Sequence, residues 1–224
     1  MPTLFVVGTP IGNLSDISER ARVTLASVHT VLCEDTRVTG KLLFSYKIAT
    51  PMMSYHQHSG QTKTNKVIEL LESGHDLALV TDAGTPAISD PGGKLIEELL
   101  SHFGEELKII PIPGASAVIT ALSIAGVSAD EFLFLGFPPH KKGRQTFFDR
   151  VASVKSTVVL YESTHRIFKT LDEISTRTPD RHLIVCRELT KLHETTYRGT
   201  AQDVTEKLQS TSIKGEFVIV LGTL

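Results

Sequence analysis

The chain has 224 residues, of which 41% are hydrophobic and 21% charged, and its formal net charge is −2. This composition excludes a disordered or low-complexity chain and leaves room for one large core or two small ones. Its two cysteines, Cys33 and Cys186, are far apart and outside any CxxC, which argues against a disulfide framework or a metal site and fits a reducing compartment.

The first element is a short apolar strand, Thr3–Val7. It lacks a basic flank and is too short for a signal peptide, and no later run reaches membrane-spanning length. A cytoplasmic location without a membrane partner is therefore expected. An amphipathic helix follows over 16–28, then a second strand, Thr30–Cys33. A helix over 64–73, a strand over 77–81, a helix over 91–102, a strand over 107–111 and a helix over 116–125 continue the alternation. Asp90 suits the cap of the 91–102 helix and Pro91 its first position. Such alternation builds βαβ units around a mostly parallel sheet.

A double proline, Pro138-Pro139, then precedes the basic run His140-Lys-Lys-Gly-Arg144. This is the expected boundary between domains 1–137 and 138–224. Beyond it come a helix over 144–154, a strand over 157–161, a helix over 165–174, a strand over 183–186 and a weaker strand over 194–198. A helix over 202–209 and a last strand, Glu216–Leu221, close the chain. The two strands at 183–198 have no helix between them, which predicts an antiparallel pair and a mixed sheet. The fold class is α/β, with a parallel sheet in the first domain and a mixed sheet in the second.

Polar and small residues collect where strands end, the usual place for ligands in α/β sheets. After the first strand comes Gly8-Thr-Pro-Ile-Gly-Asn13, which lacks both G-x-G-x-x-G and the P-loop pattern. Pro10 also removes an amide donor, so a dinucleotide or triphosphate is disfavoured. After the second comes Glu34-Asp-Thr-Arg37: either a substrate-orienting or proton-handling group, or an internal ion pair with a helix cap. Thr81-Asp-Ala-Gly-Thr-Pro86 and Pro113-Gly-Ala-Ser116 complete the set. Each is explicable alone as a capped connection, but four at one sheet edge describe a pocket.

The charge is unevenly spread. Residues 1–137 carry 9 Lys and Arg against 15 Asp and Glu, and residues 138–224 carry 14 against 10. Lys141, Lys142 and Arg144, beside Gly143, suit phosphate contacts, or a solvated loop. His165 could serve as a base, although a solvated histidine at a helix start is commoner.

These segments, with Tyr161-Glu-Ser-Thr-His-Arg166 and Arg187-Glu-Leu-Thr-Lys191, occur in an order that resembles the ribosomal RNA small-subunit methyltransferase I family of the tetrapyrrole-methylase superfamily. The resemblance spans nearly the whole chain. It implies a two-domain tetrapyrrole-methylase-like fold with S-adenosylmethionine in the cleft between the domains, and a homodimer. It implies methylation of the ribose 2′-oxygen of a cytidine in the decoding region of 16S ribosomal RNA, within the 30S subunit. Carried over by motif, the donor site comprises Pro10, Gly84, Thr85, Pro86, Ile88, Ser116 and Ala117, with Tyr161, Arg187 and Gly215. Asp35 or Glu34 is the expected proton acceptor or ribose-orienting group. Arg37 is expected to hold a phosphate or stabilise the oxygen, and Lys141, Lys142 and Arg144 to contact RNA.

Two departures qualify this. Superfamily members that act on corrin precursors or a modified histidine tend to carry Gly-Asp-Pro where this chain has Gly84-Thr-Pro86, so the grip on the donor is expected to rest on backbone. Some relatives continue past the last strand, and RNA contacts from such a tail are not expected here. Two alternatives stand: a methyltransferase of the same fold acting on a tetrapyrrole or protein side chain, and a non-catalytic RNA-binding assembly factor.

Overall fold

Five strands from the first 116 residues form one parallel sheet in the computed structural model, which describes residues 1–56, 60–90, 92–211 and 213–224. They are β1 (Thr3–Val7), β2 (Thr30–Cys33), β3 (Met52–Ser54), β4 (Leu77–Leu79) and β5 (Lys108–Ile112), in the order β3-β2-β4-β1-β5. Their helices are α1 (Glu19–Ser27), α2 (Thr36–Ser45), α3 (Gln61–Glu72) and α4 (Gly93–Phe103). Alternation along the strands divides the core between two faces. Leu32, Leu77 and Leu79 meet Val67 and Leu71 of α3 and Leu95 and Leu99 of α4. Val31, Cys33 and Ala78 meet Ala21 and Leu25 of α1 and Leu43 of α2. Burial on both faces explains why these strands are continuous apolar runs.

Local chemistry sets the helix starts. Ser18, whose hydroxyl accepts from the Ala21 N–H at 3.1 Å, caps α1, so this helix begins later than the expected residue 16. The cap of α4 is Gly92, at φ +152°, and not Asp90. Pro91 lies outside the described residues.

The second compact unit runs from Ala117 to Leu224. It contains α5 (Ala117–Ala125), β6 (Phe132–Phe134), α6 (Arg144–Ser153), β7 (Thr157–Ser163), α7 (Ile167–Arg177), β8 (Leu183–Arg187), β9 (Thr195–Gly199), α8 (Ala201–Gln209) and β10 (Glu216–Leu221). The sheet order is β6-β7-β10-β8-β9. Only the β6–β7 pairing is parallel, and β8–β9 is the expected antiparallel pair. Phe148, Leu171 and Val204 from α6, α7 and α8 pack on Leu160, Val185 and Ile219 of the sheet. The units therefore divide at Ser116 and Ala117, upstream of the double proline. The physical reason is β6: it pairs with β7, so residues 117–137 build into the second unit and the prolines lie inside it.

β1 and β5 end side by side, and the chain leaves each close to a glycine. The Gly8 N–H donates to Ile112 O at 2.9 Å. A β-carbon on Gly8 would lie 2.7 Å from the Gly114 nitrogen, and one on Gly114 would lie 2.7 Å from the Gly8 carbonyl. Backbone meets backbone, so no flexible side chain can yield. Gly8→Ala and Gly114→Ala should each destabilise the protein by about 1–3 kcal/mol in urea unfolding, the usual cost of overpacking. Wild-type midpoints in both variants would show that the two loops can part freely.

Candidate functional site

All five strands of the first sheet run parallel, so the segments following β1, β2, β4 and β5 lie at its carboxyl edge. Two of them are stitched by a short antiparallel bridge, with Thr9 N–H to Gly84 O at 2.9 Å and Gly84 N–H to Thr9 O at 3.1 Å. The Thr9 hydroxyl also donates to Thr81 O at 3.2 Å. Gly84 adopts φ +88°, where a β-carbon would be strained and would stand 3.3 Å from Ile11 Cγ2. Thr85 turns its hydroxyl to Ala115 O at 3.3 Å and ties the β4 loop to the β5 loop. Pro10, Gly84 and Pro86 are buried, Thr85 and Ser116 half-buried, and Ile88 is half exposed despite its apolar side chain. The geometry thus gathers Pro10, Gly84, Thr85, Pro86, Ile88 and Ser116 at one edge.

Beside them the carboxylates separate by environment. Asp35 caps α2, accepting from the Arg37 N–H at 2.8 Å, while Arg37 Nε donates to its Oδ1 at 3.0 Å. These bonds hold the Asp35 carboxyl down at about 2, so it is ionised at neutral pH and a weak base. Arg37 itself is largely exposed. Glu34 differs: burial, and then the Asp82 charge, push its carboxyl above the usual range, while the Thr81 hydroxyl donates to Oε2 at 3.4 Å. The internal ion pair and helix cap are therefore real for Asp35, and of the two carboxyls only that of Glu34 is pushed upward.

Sequence reasoning treated Asp90 as a cap and missed its place here. Its half-buried carboxyl is pushed up to about 6, first by burial and next by the Glu34 charge, with Thr81 bonded to it. The only signal in sequence is a carboxylate within a loop of glycine and proline. Among the described residues no cluster of His, Cys, Asp and Glu could hold a metal ion.

In the second unit, register places the end of β7, the end of β8 and the start of β10 together: Val218 pairs with Tyr161, and Phe217 with Arg187. Tyr161, Arg187 and Gly215 thus share one edge, with Ala117 at the start of α5. The Tyr161 ring packs edge-on to Phe134 at 4.8 Å. Arg187 is buried, its Nε donating to Lys214 O at 2.8 Å and its Nη1 to His193 O at 3.2 Å. It shapes a wall more than it offers a charge. Gly215, at φ +132°, exchanges hydrogen bonds with the Thr164 hydroxyl at 2.7 and 2.8 Å, and a β-carbon there would meet Glu188 Cγ at 2.5 Å.

The basic linker splits. Lys141 and Lys142 are exposed. Arg144 is only 4% exposed and turns inward, with Nη1 to Pro139 O at 3.1 Å and Nη2 to the Thr170 hydroxyl at 2.9 Å. Thr170 in turn donates to the buried Glu162 at 2.6 Å. Arg144 thus belongs to this internal network, and its side chain is buried.

Residues 3–205 match the family model for tetrapyrrole (corrin/porphyrin) methylases. A protein named ribosomal RNA small subunit methyltransferase I from Halalkalibacterium halodurans is 43% identical over 220 residues, 98% of this chain and 75% of that protein. Its namesake from Synechocystis is 44% identical over 225 residues, 99% of this chain and 79% of that protein. Among solved structures, a cobalt precorrin-4 methyltransferase superposes with a TM-score of 0.70 at 18% identity, covering 98% of this chain and 94% of the other. A diphthine synthase superposes with a TM-score of 0.73 at 13% identity, covering 99% and 90%. At such identities the structural likeness speaks to the fold alone.

The raised Asp90 carboxyl carries a stability signature. The folded state holds the proton more tightly than the unfolded chain, whose value is 3.8. The group's contribution is therefore intact below about pH 4 and lost as pH rises through about 6. Asp90→Asn should stabilise the protein at pH 8 by about 1–2 kcal/mol, the shift being discounted for partial exposure, and should bring no gain at pH 4. Urea titrations at both pH values check this, and an equal effect at the two would contradict it.

Proposed function

The chain belongs to the ribosomal RNA small subunit methyltransferase I family of tetrapyrrole methylases, and we propose that it methylates the ribose 2′-oxygen of a cytidine in the decoding region of 16S ribosomal RNA. It is an S-adenosylmethionine-dependent ribosomal RNA methyltransferase. The observation that supports a hydroxyl oxygen as the acceptor is a partly buried carboxylate, Glu34, hydrogen-bonded by Thr81 beside a backbone-lined edge.

The first unit's edge fits a methyl donor. The close contact of Gly8 with Gly114 and the positive φ of Gly84 fix an edge made largely of backbone, and Glu34, Asp82 and Asp90 place negative potential beside it. Pro10, Gly84, Thr85, Pro86, Ile88 and Ser116 would hold the donor at this edge. The grip rests on backbone and shape, because Thr85 spends its hydroxyl on Ala115 O. Once bound, the donor supplies a methyl group on a positively charged sulfur.

Glu34 then accepts the proton of the ribose hydroxyl as that oxygen becomes nucleophilic. Its elevated pKa makes it a better base than Asp35, which keeps Arg37 in place by a fixed ion pair. Arg37, exposed beside it, meets an RNA phosphate, and Lys141 and Lys142 add further phosphate contacts. Much of the acceleration comes from positioning. Among the described residues no helix is long and apolar enough to cross a membrane. Action as a cytoplasmic homodimer on the 30S subunit completes the proposal.

Glu34→Gln should lower kcat on purified 30S subunits about a hundredfold, with donor affinity by calorimetry within twofold of wild type. Wild-type kcat should rise with pH through an elevated carboxylate pKa and then level, and the variant should lose that limb. A wild-type rate in Glu34→Gln removes Glu34 as the base. Mapping 2′-O-methyl marks on 16S RNA from a deletion strain tests the target, which is excluded if every decoding-region cytidine mark persists.

A further inference from the structure

We propose that a pocket inside the second unit, between the 140–146 segment and α7, holds one phosphodiester of the substrate RNA; this rests on the ribosomal RNA function above. The pocket has a volume of about 430 Å³, and its walls include His140, Lys141, Arg144, Thr146, Lys169 and Glu173. Lys169 stands apart from the linker in sequence, and α7 carries it to the same opening as Lys141.

The pocket is cationic in effect. Glu173 is its acidic member; Arg177 pairs with both Glu173 at 2.6 Å and Asp149 at 2.7 Å, and Arg144 Nε stands 3.5 Å from Glu173 without a hydrogen bond to it. The charges of Lys141 and Lys169 are then left to act on whatever enters. Gly143 leads into α6 at φ +82° and, lacking a side chain, gives the helix no side-chain cap. The Arg144 N–H already donates to Lys141 O at 3.2 Å and the Phe147 N–H to Gly143 O at 2.9 Å, which leaves those of Gln145 and Thr146 without intrahelical acceptors, and the helix dipole favours an anion there.

An independent observation comes from Arg144. Its side chain is 5% exposed, yet its Nε is a buried donor without a hydrogen-bond partner among the described residues. Nη1 and Nη2 are committed to Pro139 O and the Thr170 hydroxyl, which fix the guanidinium in place. A rigid cation with an unspent donor, lining an open basic pocket beside an uncapped helix start, is built for an oxyanion.

The lining carries no Phe, Tyr or Trp, so it offers no platform for stacking a base. The contact is therefore to the backbone and indifferent to sequence. It anchors the strand, and the choice of nucleotide is made elsewhere.

The test uses the full chain with Lys169→Gln, Lys141→Gln with Lys169→Gln, and Lys94→Gln as a control on the first unit. Binding to 16S RNA is measured across a salt series, methylation of 30S subunits at fixed salt, and donor binding by calorimetry. Lys169→Gln should weaken RNA binding about tenfold at moderate salt and reduce the salt slope by about one, and the double variant by about two. Donor affinity should stay within twofold, Lys169→Arg should restore most of the binding, and Lys94→Gln should match wild type. If wild type methylates 30S subunits while Lys169→Gln keeps the wild-type salt slope, the pocket is not a phosphate site. If wild type fails to methylate 30S subunits and binds no RNA, the ribosomal function falls and takes this ligand with it.

Discussion

The first unit turns on one contact: the backbones of Gly8 and Gly114 touch with no room for a β-carbon on either. Parallel pairing of β1 with β5 brings the two chain segments together, and the missing side chains let them stay together. The Thr9–Gly84 bridge then draws in the β4 loop, and the Thr85 hydroxyl closes the set on Ala115. Three loops distant in sequence become one continuous edge of backbone. A surface of that kind suits a ligand recognised by shape and by peptide groups, because its polar atoms are fixed before anything binds.

Beside this edge, environment assigns carboxylates to different work. Asp35 is held ionised by a guanidinium and two N–H groups, which makes it an anchor for Arg37 and for the start of α2. Glu34, one residue earlier, lies partly out of water among other acids, and its proton affinity rises accordingly. Asp90 is driven the same way. Adjacent groups of the same chemistry thus diverge because one has a cation and the others have only burial and like charge.

How much of this could be read from sequence follows from which signals are one-dimensional. Long apolar runs such as Thr157–Ser163 and Glu216–Leu221 declare themselves as strands, and the antiparallel pair at 183–198 follows from the missing helix between its strands. β3 is only three residues, Met52–Ser54, on a sheet edge and partly exposed, so it leaves almost no period. α2 buries only Thr39 and Leu43, too narrow a stripe to stand out. The polar loops at strand ends were legible as a cluster because parallel topology alone puts them on one edge. The direction of a side chain was not legible: Arg144 reads as part of a basic run, but partners 26 and 5 residues away turn it inward. Asp90 likewise reads as a cap until the φ of Gly92 moves the helix start past it.

That inward turn gives the basic segment its form. Glu162 is 1% exposed and would be costly to bury alone. It is satisfied by the Thr170 hydroxyl at 2.6 Å, its neighbour's N–H at 2.8 Å and Arg166 at 2.8 Å. Thr170 carries the network on to Arg144, and Arg144 and Arg166 fasten the carbonyls of Pro139 and Pro138. The buried carboxylate on β7 therefore fixes the double proline and the start of α6 against α7. A segment that composition describes as a flexible basic linker is tied down at both ends, with Lys141 and Lys142 exposed between the ties. Cations held this way would lose less conformational entropy on meeting a phosphate than lysines on a free loop, which favours the phosphate contacts proposed for them.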